Sequence, residues 1–308
     1  MQSEDGPNEE SKMSIVKDVQ EREPEIALKI DKVGVKGVNK KISTRTPEGA
    51  FFYDVVLDAY VDLPKTKRGT HMSRDIEAFM EAIEEAKKEE SSSLEKVLQD
   101  ICRKLIQKHS YATRAELIAK TRHQYKENFT PTPTSEEAEV TITVSMNRNS
   151  SDRKSVKVTV PGMTVCPCAQ EMYRDKEKTQ LPHTPSHTQR VNLSIEATAE
   201  ERLVRLDWLI DAARQAFSAP TVSLLKREDE YELVKQAYQK PRFIEDLIRH
   251  ALHNSFHKLV EENYPEDTIL KVEAESFESI HSHNAYASRE TTLKELSEEE
   301  KEFEDKAL

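Results

Sequence analysis

The chemistry this chain could perform is concentrated in two short stretches set far apart: Cys166-Pro167-Cys168 and Glu278-Ser279-Ile280-His281-Ser282-His283. Thiolates, a carboxylate and imidazoles are the side chains that hold a transition metal at neutral pH. The chain has 3 cysteines, and two of them sit on this one turn. Pro167 fixes its own φ and restricts Cys166, so a stiff turn presents the thiols. The two thiols need not share one ion. Glu278 and His281 converge if their segment turns or coils. His281 and His283 share a face if it is extended. The halves lie too far apart for a zinc finger, and a mixed S, N and O set drawn from remote segments suits a catalytic centre better. Two buried thiols and a solvated Glu/His run are the readings that need no metal.

Other candidates are weaker on their own. His187-Thr188-Gln189-Arg190 sets an imidazole that titrates near neutrality close to a guanidinium that can fork onto phosphate. Lys226-Arg227-Glu228-Asp229-Glu230 has the composition of a solvated charge run, and Arg74 and Arg114 are isolated positives. His253 and His257 have the i,i+4 spacing of paired ligands. The helix that carries them with His250 lacks the acidic partner of a zinc-protease helix, so the three are read as flanking its apolar stripe.

The elements that must position these groups come from periodicity. Ile26–Val38 and Phe51–Leu63 alternate as half-buried strands do. Ser73 opens a helix with Phe79, Met80 and Ile83 on its apolar side, and Ser93 opens another along Leu94, Val97, Leu98, Ile101, Leu105 and Ile106. Ala112–Tyr125 and Val140–Met146 are strands. A similar order follows: strands at Val156–Val160 and Val191–Ala197, separated by the cysteine turn and a polar excursion, Tyr173–Ser186. Helices come next at Leu203–Phe217, Asp229–Tyr238 and Pro241–Val260, with Pro241 at the first helical position. Strands at Thr268–Glu275 and Asn284–Ser288 close the set. The reading is α+β with two ββααββ modules, 25–150 and 151–290. They are flanked by a disordered tail, 1–24, and a charged helix or tail, 291–308.

Length and composition bound the function. The chain has 308 residues, 33% charged and 36% hydrophobic, with a net charge of −11. It can bury a full core, and its field disfavours non-specific nucleic-acid binding. No apolar run has membrane-spanning length and the first residues are not signal-like, so a cytoplasmic protein with reduced thiols is expected. With only 6 glycines, neither a P-loop nor a dinucleotide-binding fingerprint exists.

Four motifs in order then resemble one family: Cys166-Pro-Cys168-Ala-Gln, His187-Thr-Gln-Arg190, Leu225-Lys-Arg-Glu-Asp-Glu230 and Glu278-Ser-Ile-His281-Ser-His283. The resemblance is to the metal-dependent GTP cyclohydrolases of the tunnelling fold. His71-Met-Ser-Arg74 and Lys108-His-Ser-Tyr-Ala-Thr-Arg114 look like their archaeal branch, MptA. It covers Ile26 to Leu293 and implies ββααββ modules whose sheets close into a barrel across a homo-oligomer, a dimer or tetramer, with active sites at subunit interfaces. The activity implied is hydrolysis of GTP to a dihydroneopterin 2′,3′-cyclic phosphate, formate and diphosphate, the first step of archaeal pterin biosynthesis, with one Fe(II) per subunit. Rival readings are the bacterial-type reaction, giving the triphosphate, and an assembly protein that binds nucleotide or metal without turnover.

By the family pattern Cys166, Glu230, Glu278 and His281 hold the metal. His187 works with the reacting water, and Cys168 is grouped with it as catalytic. Glu245 anchors the guanine edge, and Arg190, Lys226, Arg74 and His71 bind the rest of the substrate. The polar segment before His187 is short for the archaeal branch and contains His183, which competes for the acid–base role. Thr188 stands where the family has Asn.

Overall fold

The computed structural model describes residues 18–46, 49–89, 93–181, 183–200 and 202–307. The tail read as disordered therefore lies mostly outside the described residues. The elements in chain order are β1 Ile30–Thr46, β2 Gly49–Leu63, α1 Met72–Ala86, α2 Leu94–Lys108, β3 Arg114–Glu127, β4 Thr134–Asn147, β5 Arg153–Val165, α3 Pro167–Glu177, β6 Thr188–Ala199, α4 Leu206–Ala216, β7 Ala219–Pro220, α5 Arg227–Gln239, α6 Ile244–Glu261, β8 Ile269–Phe277, β9 Ala285–Thr292 and α7 Leu293–Ala307.

All strands join one sheet of 9, in the order β1-β2-β3-β4-β5-β6-β8-β9, with the short β7 paired to β5. Each pairing is antiparallel. The order ββααββ thus appears twice, the second time with α3, β7 and α5 added and the helix α7 following. β4 pairs directly with β5, so the sheet runs on between the halves. The helices α1, α2, α4 and α6 pack on the sheet over the main core, and α5 packs against the end of β5 at Met163 and Val165. Alternation follows from this: Val191, Leu193, Ile195 and Ala197 of β6 are buried beneath the helices, whereas the residues between them are more accessible. One apolar core extends from Ile42 to Leu296.

Local chemistry fixes several boundaries. Ser93 caps α2 by accepting the Lys96 N–H at 3.2 Å, as its sequence signal predicts. β1 continues past Val38 because Gly37, at φ 75°, makes a bulge, and the Gly37 N–H donates to Asp58 Oδ1 at 2.7 Å. Asp62 closes the next turn: its carboxylate accepts from the Thr113 and Arg114 N–H groups and the Thr113 hydroxyl at 2.7, 2.8 and 2.7 Å.

Two local expectations are corrected. The cysteine turn is the start of a helix, with Cys166 as N-cap and Pro167 at the first position, where a missing N–H costs nothing. Pro241 does not open α6; the helix starts after Phe243, whose N–H donates to Asp246 Oδ2 at 3.0 Å. Strands β4 and β9 also run beyond the apolar stretches Val140–Met146 and Asn284–Ser288, because ladder hydrogen bonds extend where hydrophobicity fades. Gly162 of β5 lies beneath the Phe217 ring: a Cβ there would stand 2.3 Å from the ring's Cγ.

Candidate active site

The sheet order brings the remote motifs together. Val165, the last residue of β5, pairs with Thr188 at the start of β6. Arg190 of β6 pairs with Phe277 at the end of β8, and Ser276 pairs with Ala285 at the start of β9. Cys166, His187, Glu278 and His283 therefore emerge at one end of four neighbouring strands. Together with Gln189, Arg242, Glu245, Ser276 and His281 they line a cavity of about 250 Å³.

Backbone ties hold the thiol and imidazole segments in register. The Cys166 N–H donates to the His187 carbonyl at 3.1 Å, and Ser186 Oγ donates to the Cys166 carbonyl at 2.6 Å. The Tyr238 hydroxyl reaches over from α5 to the Ser186 carbonyl at 2.9 Å. His187 and His281 meet edge to face with ring centres 6.4 Å apart, and His281 stacks on His283 at 5.5 Å. Both histidines of the last motif thus line the cavity, and the competing geometries read from sequence resolve into an imidazole stack. His187 Nδ1 lies 3.4 Å from Ser279 Oγ, and Glu278 accepts from Ser276 Oγ at 2.8 Å.

Arg242 places α6. Its N–H donates to the Val165 carbonyl at 3.0 Å, beside Cys166, and its guanidinium donates to the carbonyls of Gln215, at 3.0 Å, and Ala216 at the end of α4. Glu245 follows in the first turn of α6, where the helix dipole favours a carboxylate. Arg242 was not singled out from the sequence, and its position before an apolar helix was the one available signal. Gln189 was also missed as a lining residue; its buried Oε1 has no hydrogen-bond partner among the described residues.

Other candidates stand elsewhere. Arg190 alternates with Gln189 and so belongs to the opposite face of the sheet. Cys168 is exposed on α3. Lys226 is the exposed N-cap of α5 and Glu230 lies exposed in its first turn, neither among the cavity's lining residues. His183 lines a separate cavity of about 220 Å³ with Tyr231 and Tyr238. His71 precedes α1 in the first half, 2.6 Å from Asp18, and Arg74 reaches the Lys108 carbonyl at 3.5 Å.

The donor types around the cavity, a thiol, a carboxylate and imidazoles, suit a transition metal. Their donor atoms encircle the space without meeting at a point. Among the described residues, the trios whose atoms all lie within 4.8 Å of one another are His253–His257–Glu300 and Asp18–Glu21–His71. No helix among the described residues is long and apolar enough to cross a membrane.

Residues 16–287 match the family model described as Type I GTP cyclohydrolase folE2. A relative named GTP cyclohydrolase MptA, from Aeropyrum pernix, is 36% identical over 280 residues, covering 91% of this chain and 97% of its own. Another of the same name, from Methanobrevibacter smithii, is 35% identical over 304 residues, with 92% and 97% covered. In three dimensions a uricase from Bacillus fastidious superposes with a TM-score of 0.53 at 12% identity, covering 88% of this chain and 96% of that one. That likeness speaks for the uricase-like tunnelling fold alone.

Proposed function

The chain belongs to the type I GTP cyclohydrolase family, and from that premise we propose that it opens the imidazole ring of GTP and releases C8 as formate. The product we assign is the dihydroneopterin 2′,3′-cyclic phosphate of the MptA branch, with diphosphate as co-product. The observation that carries the reading is the gathering of Cys166, His187, Glu245, Glu278 and His281 on one cavity from four separate segments.

Cys166, Glu278 and His281 are the residues to hold the metal, Fe(II) by the family resemblance, with Glu230 the further carboxylate of the family pattern. A cation there supplies Lewis acidity and lowers the pKa of a bound water toward neutrality. His187 moves the proton. Its Nδ1 faces Ser279, which leaves Nε2 to take a proton from the attacking water and return it to the departing ring nitrogen. Glu245 accepts two hydrogen bonds from the guanine N1–H and 2-amino group, which a carboxylate can do at once. Arg242, beside it, offers positive charge to the phosphates.

His71 and Arg74 enter this scheme from a second copy of the chain. β1 and β9 stand at the two edges of the sheet, so pairing between copies would extend it and bring one copy's first half to another's cavity. The imidazole of His71 retains a buried Nδ1 with no hydrogen-bond partner among the described residues. The test is anaerobic incubation of the purified protein with GTP and Fe(II), with the pterin identified by mass. A cyclic phosphate supports the proposal, the triphosphate moves the chain to the bacterial-type reaction, and intact GTP refutes turnover. Cys166→Ala with full metal content and normal turnover would remove the thiol from the site.

A further inference from the structure

The long helix α6 carries His253 and His257 one turn apart, and the sequence places no acid beside them. The fold supplies one from α7. Glu300 Oε1 lies 3.1 Å from His253 Nδ1 and 3.1 Å from His257 Nε2. The two rings meet edge to face at 4.2 Å, so both aim at the same oxygen.

We propose that His253, His257 and Glu300 form a second divalent-metal site, of the zinc class, which fastens α7 to α6. The site is independent of the Cys166 cavity and of the reaction assigned to it. Ligand atoms around a tetrahedral zinc with bonds of about 2.0–2.2 Å lie about 3.4 Å apart. The trio's atoms already fall within 4.8 Å of one another, so small side-chain adjustments complete the geometry. Two imidazoles and one carboxylate select zinc, cobalt or nickel over magnesium or calcium, which prefer an all-oxygen shell. Three protein ligands leave the fourth position to water.

The surroundings favour a fastening role. Side-chain exposures of 59%, 52% and 37% for His253, His257 and Glu300 leave the trio open to an arriving ion. Near the start of α7 Leu293 and Leu296 are buried, and Glu299, the residue before Glu300, pairs with Arg289. A metal at Glu300 would clamp the helix beyond these contacts. The trio also lines one groove, about 890 Å³ in volume, with Glu245 at the opposite end of α6.

The experiment is equilibrium dialysis of the full-length protein against Zn²⁺, with zinc counted per chain. Wild type should hold about one equivalent more than His257→Ala, and Glu300→Gln should match that loss. Cys166→Ala should retain the equivalent that His257→Ala lacks. Zinc should also slow tryptic cleavage at Lys301 in wild type and leave His257→Ala unaffected. Because the three side chains are exposed, these variants should keep the wild-type circular dichroism spectrum, and His253→Ala provides a second check. Equal zinc in wild type, His257→Ala and His253→Ala would overturn the proposal and reduce the trio to hydrogen bonds alone. Loss of the same equivalent in Cys166→Ala would overturn it too, by assigning that ion to the other cavity.

Discussion

Gly162→Ala tests whether the strand that leads into Cys166 is shaped by the close approach of a single ring. The added methyl would lie 2.3 Å from Cγ and 2.4 Å from both Cδ atoms of Phe217, whereas ordinary contact begins at 3.4 Å. The ring must therefore retreat by about 1.1 Å (3.4 less 2.3). It has little room, since Phe217 is 4% exposed and the next residue is tied to β5 by the Ser218 N–H donating to the Met163 carbonyl at 3.0 Å. Overpacking of this kind costs about 1–3 kcal/mol. Complete expulsion of the ring sets an upper bound of about 3–5 kcal/mol, the cost of losing a buried phenylalanine. Urea unfolding at one fixed protein concentration measures the loss. Phe217→Ala in the same background removes the clash, so the double variant should be more stable than the two single losses predict by about 1–3 kcal/mol. A Gly162→Ala protein within about 0.5 kcal/mol of wild type, or strict additivity in the cycle, would refute the reasoning.

His187→Ala should lower kcat by about 10²–10⁴-fold with metal retained, while His183→Ala loses little; the reverse pattern in steady-state kinetics would move the proton-transfer role to His183. Glu245→Gln forfeits charge-assisted hydrogen bonds worth about 1.5–3 kcal/mol each, so GTP binding measured calorimetrically should weaken more than tenfold, and wild-type affinity would take Glu245 out of the pocket. At Asp62 burial pushes the carboxyl up, but the hydrogen bonds from Thr113 and Arg114 outweigh it and hold the group below the ordinary carboxylate range. A depressed folded-state pKa makes this stabilisation complete above the unfolded value of about 3.9 and removes it as pH falls through the folded value. Asp62→Asn should therefore lower stability at neutral pH and flatten its decline below about pH 4, and an unchanged acid limb in urea titrations would exclude Asp62 as its source.

The fold was legible where local pattern and long-range packing agree. Alternation in β2 and the Ser93 cap of α2 name their own elements. The apolar stripe of α6 does too, because each face meets one environment. The α3 helix was hidden because its residues are largely polar and exposed, leaving Pro167 as the main cue. In the site, Cys166 could be singled out from its chemistry, since the chain has only 3 cysteines to supply a thiolate, and Glu278 and His281 from their close spacing. What residue types do not encode is which end of a strand faces which cavity. Arg190 and Gln189 are adjacent in sequence and lie on opposite faces, and Lys226 and Glu230 belong to a motif of the family pattern while standing outside the cavity. The acid beside His253 and His257 escaped for a related reason: it comes from a helix whose docking only the tertiary structure determines.

The antiparallel order of the sheet also sets a schedule. Cys166 leaves the ribosome long before Glu278 and His281, by roughly 6–23 s at about 5–20 residues per second. During that interval β5 already has β4 to pair with, but β6 lacks β8, its later neighbour. The Cys166 thiol therefore waits without Glu278 and His281, the residues that line the cavity with it, in a half-built sheet whose growing edge is open. The cavity itself is complete only once the final hairpin of β8 and β9 has closed the row.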